Sequence, residues 1–346
     1  MPNVEMFRML GSGTESVMAA LRIARIATGH KRVIKIGGAY HGWSDQMVYG
    51  LKIPGSRNLL ESHGIPSKAY ARTDEVRAND LDMLEKMLKI NKLKGGTAAV
   101  IVEPVGPESG TRPVAKEYNK GVRALCDKYG ALMIFDEVVT GFRVGLGGAQ
   151  EYFDVVPDLT VFGKVVAGGY PAAGGVGGKK EYMKYLGAGL DDSGMKIKKA
   201  FTGGTMTANP LSCCAGYFTL EEIDKQNACQ KAGEMGDRLT QGLQELVTKH
   251  GLPFVVWNEG SVCHLETVGT MHYSIDWCKP WKIPGVLSAT SERKKEMQYM
   301  GAAYMAEGLV TLAGSRLYTN AQYTPELIDE ALRRFDRVFA NVAVKE

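Results

Sequence analysis

The chain has 346 residues, 45% of them hydrophobic and 23% charged, and 42 Lys and Arg against 38 Asp and Glu leave a net charge of +4. These values exclude disorder, collagen and simple fibres, and so small a charge does not argue for nucleic acid. The 42 glycines are about 12% of the chain against a typical ~7%, an excess that suits tight turns and close backbone approaches.

In chain order, Leu10-Gly11-Ser12-Gly13-Thr14-Glu15 leads into a helical pattern over Glu15–Thr28. Small residues before a helix let backbone N–H groups converge on an anion; an ordinary turn with a Ser or Thr cap has the same sequence. Arg32–Ile36 reads as a buried strand, followed by Ala39-Tyr40-His41-Gly42-Trp43. An aromatic at a strand end can stack on a flat ligand or sit in the core. Asn79–Ile90 reads as a helix, Thr97–Val102 as a strand, Lys116–Tyr129 as a helix and Ala131–Phe135 as a strand running into Asp136-Glu137-Val138. An acid behind such an apolar run is costly unless a positive group pairs with it. Leu159–Phe162 is the next strand and ends at Gly163-Lys164 before a glycine turn. A desolvated lysine there can form a Schiff base with an aldehyde, although most lysines are surface groups. The helix Lys179–Leu186 follows. Thr202-Gly203-Gly204-Thr205 then stands before a helix over Asn209–Ile223, as a second candidate phosphate contact or a capped loop.

Strands alternating with helices predict a mostly parallel α/β sheet over residues 1–225. Residues 226–346 read as a smaller α+β domain. Its elements are a long helix Ala228–His250, strands Pro253–Trp257 and Val262–Glu266, and helices Ser291–Glu307 and Pro325–Val342. The stretch Thr270–Ala289, with two Trp and two Pro, reads as an ordered loop. The six cysteines form no C-x-x-C pair and no H-E-x-x-H occurs, so no metal is expected. No apolar run approaches the ~18 residues of a membrane span. Glu5, Arg8 and Glu15 interrupt any secretory leader, which predicts a cytoplasmic protein.

Each motif alone is weak; their order is specific. A phosphate cup, a stacking aromatic, an aspartate, a Schiff-base lysine and a second phosphate contact together suit pyridoxal 5'-phosphate. At this point the chain resembles the class III aminotransferases among the fold-type I pyridoxal-phosphate enzymes, and within them the glutamate-1-semialdehyde aminomutase branch and the β- and ω-amino-acid aminotransferases. The most specific stretch is Asp136-Glu137-Val138-Val139-Thr140-Gly141-Phe142-Arg143, continuing through Gly147-Gly148-Ala149-Gln150 and Pro157-Asp158-Leu159 to Gly163-Lys164.

The resemblance implies a seven-stranded-type sheet and a set of roles. Lys164 holds the cofactor and shuttles the proton. Asp136 pairs with the pyridine nitrogen. Val138 and Tyr40 pack on the two ring faces, with His41 beside them, and Ser12, Gly13 and Thr14 cradle the phosphate. Thr205 contacts the phosphate of the neighbouring subunit, which implies a homodimer with shared active sites. Glu108 stands where the ω-aminotransferases usually carry glutamate and the aminomutases asparagine. Arg316 is a candidate for binding a substrate carboxylate, and Arg143 a second one. The expected function is therefore transfer of an amino group from a β- or ω-amino acid or amine to a keto acid. Glutamate-1-semialdehyde 2,1-aminomutase is the alternative, with a weakly catalytic or non-catalytic cofactor-binding relative as a third reading. Ser56–Thr73 could form a lid over the site. Only about ten residues precede Ser12, whereas the family usually carries a whole N-terminal segment there; a fragment, a truncated gene and a minimal enzyme all fit.

Overall fold

In a computed structural model of the chain, residues 1–55, 62–187, 189–190, 194–196, 198–268, 275–276 and 278–342 are described. Residues 56–61, at the start of the expected lid, lie outside them, as do 269–274 and 277.

The aliphatic runs form the middle of a seven-stranded sheet. Its strands are β1 (Met6–Leu10), β2 (Arg32–Ile36), β3 (Thr73–Val76), β4 (Thr97–Val102), β5 (Leu132–Asp136), β6 (Leu159–Gly163) and β7 (Gly174–Gly178). They lie in the order β1-β7-β6-β5-β4-β2-β3. The neighbours from β3 to β6 pair in parallel, while β7 runs antiparallel to β1 and β6.

Side chains alternate across this sheet. Val33, Ala99, Ile101 and Ile134 join one core with Val17, Leu21 and Ala24 of the helix Gly13–Thr28. Ile34, Val100, Val102, Met133 and Phe135 face the other way, toward Leu84 and Leu88 of the helix Leu81–Lys92 and Val122 and Cys126 of the helix Tyr118–Tyr129. The i, i+4 spacing supplies each helix with its apolar stripe. Each buried Leu, Ile or Val contributes roughly 1.5–3 kcal/mol.

Strand β7 has the sequence Gly-Gly-Val-Gly-Gly and no strand was expected there. It pairs antiparallel with β1 and β6, and three of its glycines lie where neighbours leave no room for a side chain. A Cβ at Gly174 would lie 2.3 Å from the Ser12 carbonyl oxygen, one at Gly175 2.2 Å from the Phe7 ring, and one at Gly178 2.7 Å from the Asp158 carbonyl oxygen.

The chain divides into two compact units. The first holds Met1–Ser109 and Pro113–Glu222; the second holds Gly110–Arg112 and Ile223–Glu346. In the second, β8 (Val255–Glu259), β9 (Val262–Glu266) and β10 (Arg316–Tyr318) form an antiparallel sheet in the order β10-β9-β8. Leu239, Leu243 and Val247 of the helix Ala228–Lys249 pack with Leu265, Tyr304, Phe335 and Phe339. The helix expected from Ser291 begins at Ile283 and runs to Ala306. Pro284 sits in its first turn, where the missing N–H is no loss. The expected helix Lys179–Leu186 is a short α-turn, Lys180–Met183, followed by a 3-10 turn, Lys184–Leu186.

Candidate active site

Parallel strands deliver their carboxyl ends to one edge of a sheet, which is where α/β proteins bind ligands. In the first unit that edge gathers residues from four strands. Asp136 ends β5 and Lys164 follows β6. His41 comes from the loop after β2, and Glu103 follows β4.

Asp136 is buried, and so is His41. Oδ2 of Asp136 lies 2.7 Å from Nδ1 of His41, and Oδ1 accepts from the Val138 N–H at 3.2 Å. Burial pulls the His41 pKa below the ordinary histidine value; the Asp136 hydrogen bond and charge pull it back, and Lys35 adds to the lowering. The hydrogen bond to a carboxylate places a proton on Nδ1 of His41.

Lys164 has φ of +51°, a left-handed backbone that disfavours a side chain. Its side chain reaches solvent, but burial around the amine lowers its pKa. Asp136 and Glu103 oppose that shift and Arg143 reinforces it. Thus Asp136, Glu103 and Arg143 all stand within electrostatic reach of one amine. Val138 is half-buried beneath two glycines: a Cβ at Gly13 or at Gly163 would lie 3.0 Å from its methyl groups.

The cup at Ser12 is also a helix cap. Ser12 Oγ accepts from the Glu15 N–H at 3.3 Å, and the Glu15 carboxylate accepts from the Gly11 N–H at 2.8 Å. This is close to a capping box. The Gly13 and Thr14 amides have no acceptor among the described residues, so two N–H groups and the helix dipole remain for an anion. Gly42, with φ of +81°, packs on Thr14, where a Cβ would fall 2.4 Å from Oγ1.

Tyr40 is half exposed beside the cluster, and its N–H is bound by Glu103 at 2.8 Å. Glu108 is half-buried with φ of +57°. Thr205 is exposed in a turn ahead of the helix Pro210–Lys225. Arg316 belongs to the second unit, where it opens β10 in register with His264. Sequence reasoning gave no role to Glu103. The signal was available, because Glu103 follows an apolar strand as Asp136 does.

Among the described residues no group of His, Cys, Asp and Glu is placed to hold a metal, and no helix is long and apolar enough to cross a membrane.

Sheet order and strand-end cluster define a fold-type I α/β architecture. The chain belongs to the family Aminotransferase class-III, which it matches over residues 1–317. It is 40% identical over 265 residues to a protein of Staphylococcus epidermidis named glutamate-1-semialdehyde 2,1-aminomutase 1, covering 75% of this chain and 58% of that relative. Among solved structures it resembles an omega-transaminase from Sphaerobacter thermophilus, with a TM-score of 0.81 and 24% identity over 99% of this chain and 75% of that one. A transaminase with PLP bound matches with a TM-score of 0.79 and 26% identity, covering 98% and 74%.

Pyridoxal 5'-phosphate is the cofactor of this family. The residues present fit it. Two helix amides at Gly13 and Thr14 are open, a buried carboxylate is held by His41, and a partly desolvated amine lies within electrostatic reach of that carboxylate.

Proposed function

We propose that the chain is a pyridoxal-5'-phosphate-dependent aminotransferase that moves an amino group from a β- or ω-amino acid, or a simple amine, to a keto acid. The observation that carries this reading is the convergence of Lys164, Asp136 and His41 at one sheet edge.

When bound, the cofactor supplies an aldehyde that exchanges amines and a ring that takes up an electron pair. The chain's own residues supply the rest. Lys164 gives up its proton more readily than a solvated lysine, so its Nζ can serve as a nucleophile and then carry a proton from the donor carbon. Asp136, fixed by His41 and the Val138 amide, keeps a proton on the ring nitrogen. Tyr40 and Val138 would pack on the two ring faces. Gly13 and Thr14 offer their amides to the phosphate. The Ser12 hydroxyl, which already accepts from Glu15, still has a proton to donate.

Thr205 is proposed to reach the phosphate of a second copy. The exposed side chains of Phe201, Met206, Leu211, Tyr217 and Phe218 near it support a homodimer, since apolar patches of this kind mark interaction surfaces.

Glu108 favours the aminotransferase reading, because it occupies the position that distinguishes the two branches. The name of the relative at 40% identity favours a second reading, glutamate-1-semialdehyde 2,1-aminomutase. A half-reaction screen separates them. The holoprotein is mixed with single amines and amino acids while the absorbance of the lysine-bound cofactor is followed. Loss with a β- or ω-amino acid, and recovery with a keto acid, supports the aminotransferase. A response confined to the semialdehyde and its diamino partner supports the aminomutase.

A further inference from the structure

Glu103 follows strand β4, and its carboxylate holds two loops at once. Oε1 accepts from the Tyr40 N–H at 2.8 Å and from the Glu108 N–H at 3.0 Å; Oε2 accepts from the Ser109 N–H at 2.7 Å. Tyr40 lies in the loop after β2, Glu108 and Ser109 in the loop after β4. Both Glu108 and Ser109 have φ of +57°. Left-handed backbone costs a non-glycine residue about 1–2 kcal/mol, so this pair needs compensation. Successive amides turned toward one point form a cradle for an anion, and here the chain fills that cradle with its own side chain.

We propose that Glu103 is a positioning residue that sets the Tyr40 loop and the Glu108 loop against each other through a single carboxylate. It thereby places the ring that packs on the cofactor and the side chain that meets the donor. What the two loops hold rests on the aminotransferase reading; the clamp itself does not. A protonated carboxyl would present an O–H to three N–H groups and satisfy them less well. Burial and the nearby Asp136 nevertheless push Glu103 up to about 7, with the three N–H groups pulling it down. The clamp therefore loosens as Glu103 takes up a proton.

Hydrogen exchange followed by mass spectrometry tests this on the cofactor-free full chain. In Glu103→Ala, peptides covering residues 38–44 and 103–112 are expected to exchange about tenfold faster or more, the equivalent of one lost hydrogen bond to a charged group. Peptides from β4 and β5 should keep their protection. In Glu103→Gln the side-chain oxygen can keep the Tyr40 and Glu108 N–H groups while its NH₂ faces the Ser109 N–H, so at least the segment at Ser109 should loosen. That variant carries the test alone if Glu103→Ala does not fold. No change in either segment, loosening of only one in Glu103→Ala, or loosening spread through both strands would overturn the proposal. With cofactor restored, the KM for an amino donor should rise about tenfold in Glu103→Gln, more than kcat falls. Absence of turnover in the parent chain, with the exchange result intact, would strike the aminotransferase reading and leave the clamp standing.

Discussion

Nδ1 of His41 lies 2.7 Å from Oδ2 of Asp136 with both side chains buried, although 95 residues separate them in the chain. Without His41 the Asp136 carboxylate keeps, among the described residues, only the Val138 N–H, and its proposed hold on a ring nitrogen weakens. In His41→Ala the lost hydrogen bond to a charged group is worth roughly 1.5–3 kcal/mol. Cofactor affinity, measured by absorbance titration, should fall by about tenfold to a hundredfold. His41→Asn, which keeps a side-chain N–H donor, should recover part of it. Equal affinity in all three proteins would show that His41 does not orient Asp136.

The glycines of β7 make a second prediction. In Gly174→Ala the new methyl would meet the Ser12 carbonyl oxygen at 2.3 Å. The strand or the helix cap must then move, at about 1–3 kcal/mol. Thermal denaturation should show that loss, and cofactor affinity should fall with it because the helix cap carries the cup. Gly233→Ala is the contrast. It lies inside the helix Ala228–Lys249, and its Cβ would stand 3.7 Å from the nearest atom of Gly260. There the alanine should stabilise by roughly 0.5–1 kcal/mol.

Glu137 makes stability depend on pH. Burial pushes its carboxyl up to about 7 from an ordinary 4.5, while bonds from the Ala149 N–H, the Thr140 hydroxyl and Gln150 pull it down. Because the folded pKa lies above the unfolded one, the folded state holds the proton longer. Stability is thus fully present at low pH and declines as pH rises from about 4.5 through 7. The loss is on the order of 3 kcal/mol. Melting temperature measured between pH 5 and pH 8 should fall more steeply for the parent chain than for Glu137→Gln. Parallel slopes would mean that Glu137 is charged in the folded chain throughout.

Much of this was legible in the sequence where local chemistry and tertiary environment agree. β2 and β4 fall at the expected residues because their runs of β-branched side chains are buried, and β9 is buried along its whole length. The acid and the lysine behind β5 and β6 were legible because each breaks an apolar run. β7 was hidden, since its glycines reflect crowding by Ser12, Phe7 and Asp158 rather than any strand propensity. The early start of the helix at Ile283 was masked by Pro284 in its first turn and Pro280 just before it. Glu103 was overlooked because its partners are backbone amides, and only the left-handed turn at Glu108 and Ser109 aims two of them at it.

The central claim is that Lys164, among all the lysines of the chain, bonds to the cofactor. Borohydride reduction of the holoprotein followed by peptide mapping tests it most directly. The account predicts a single pyridoxyl label on Lys164 and none in Lys164→Ala. A label on another lysine, or no label on the parent chain under conditions where the cofactor is bound, would contradict it.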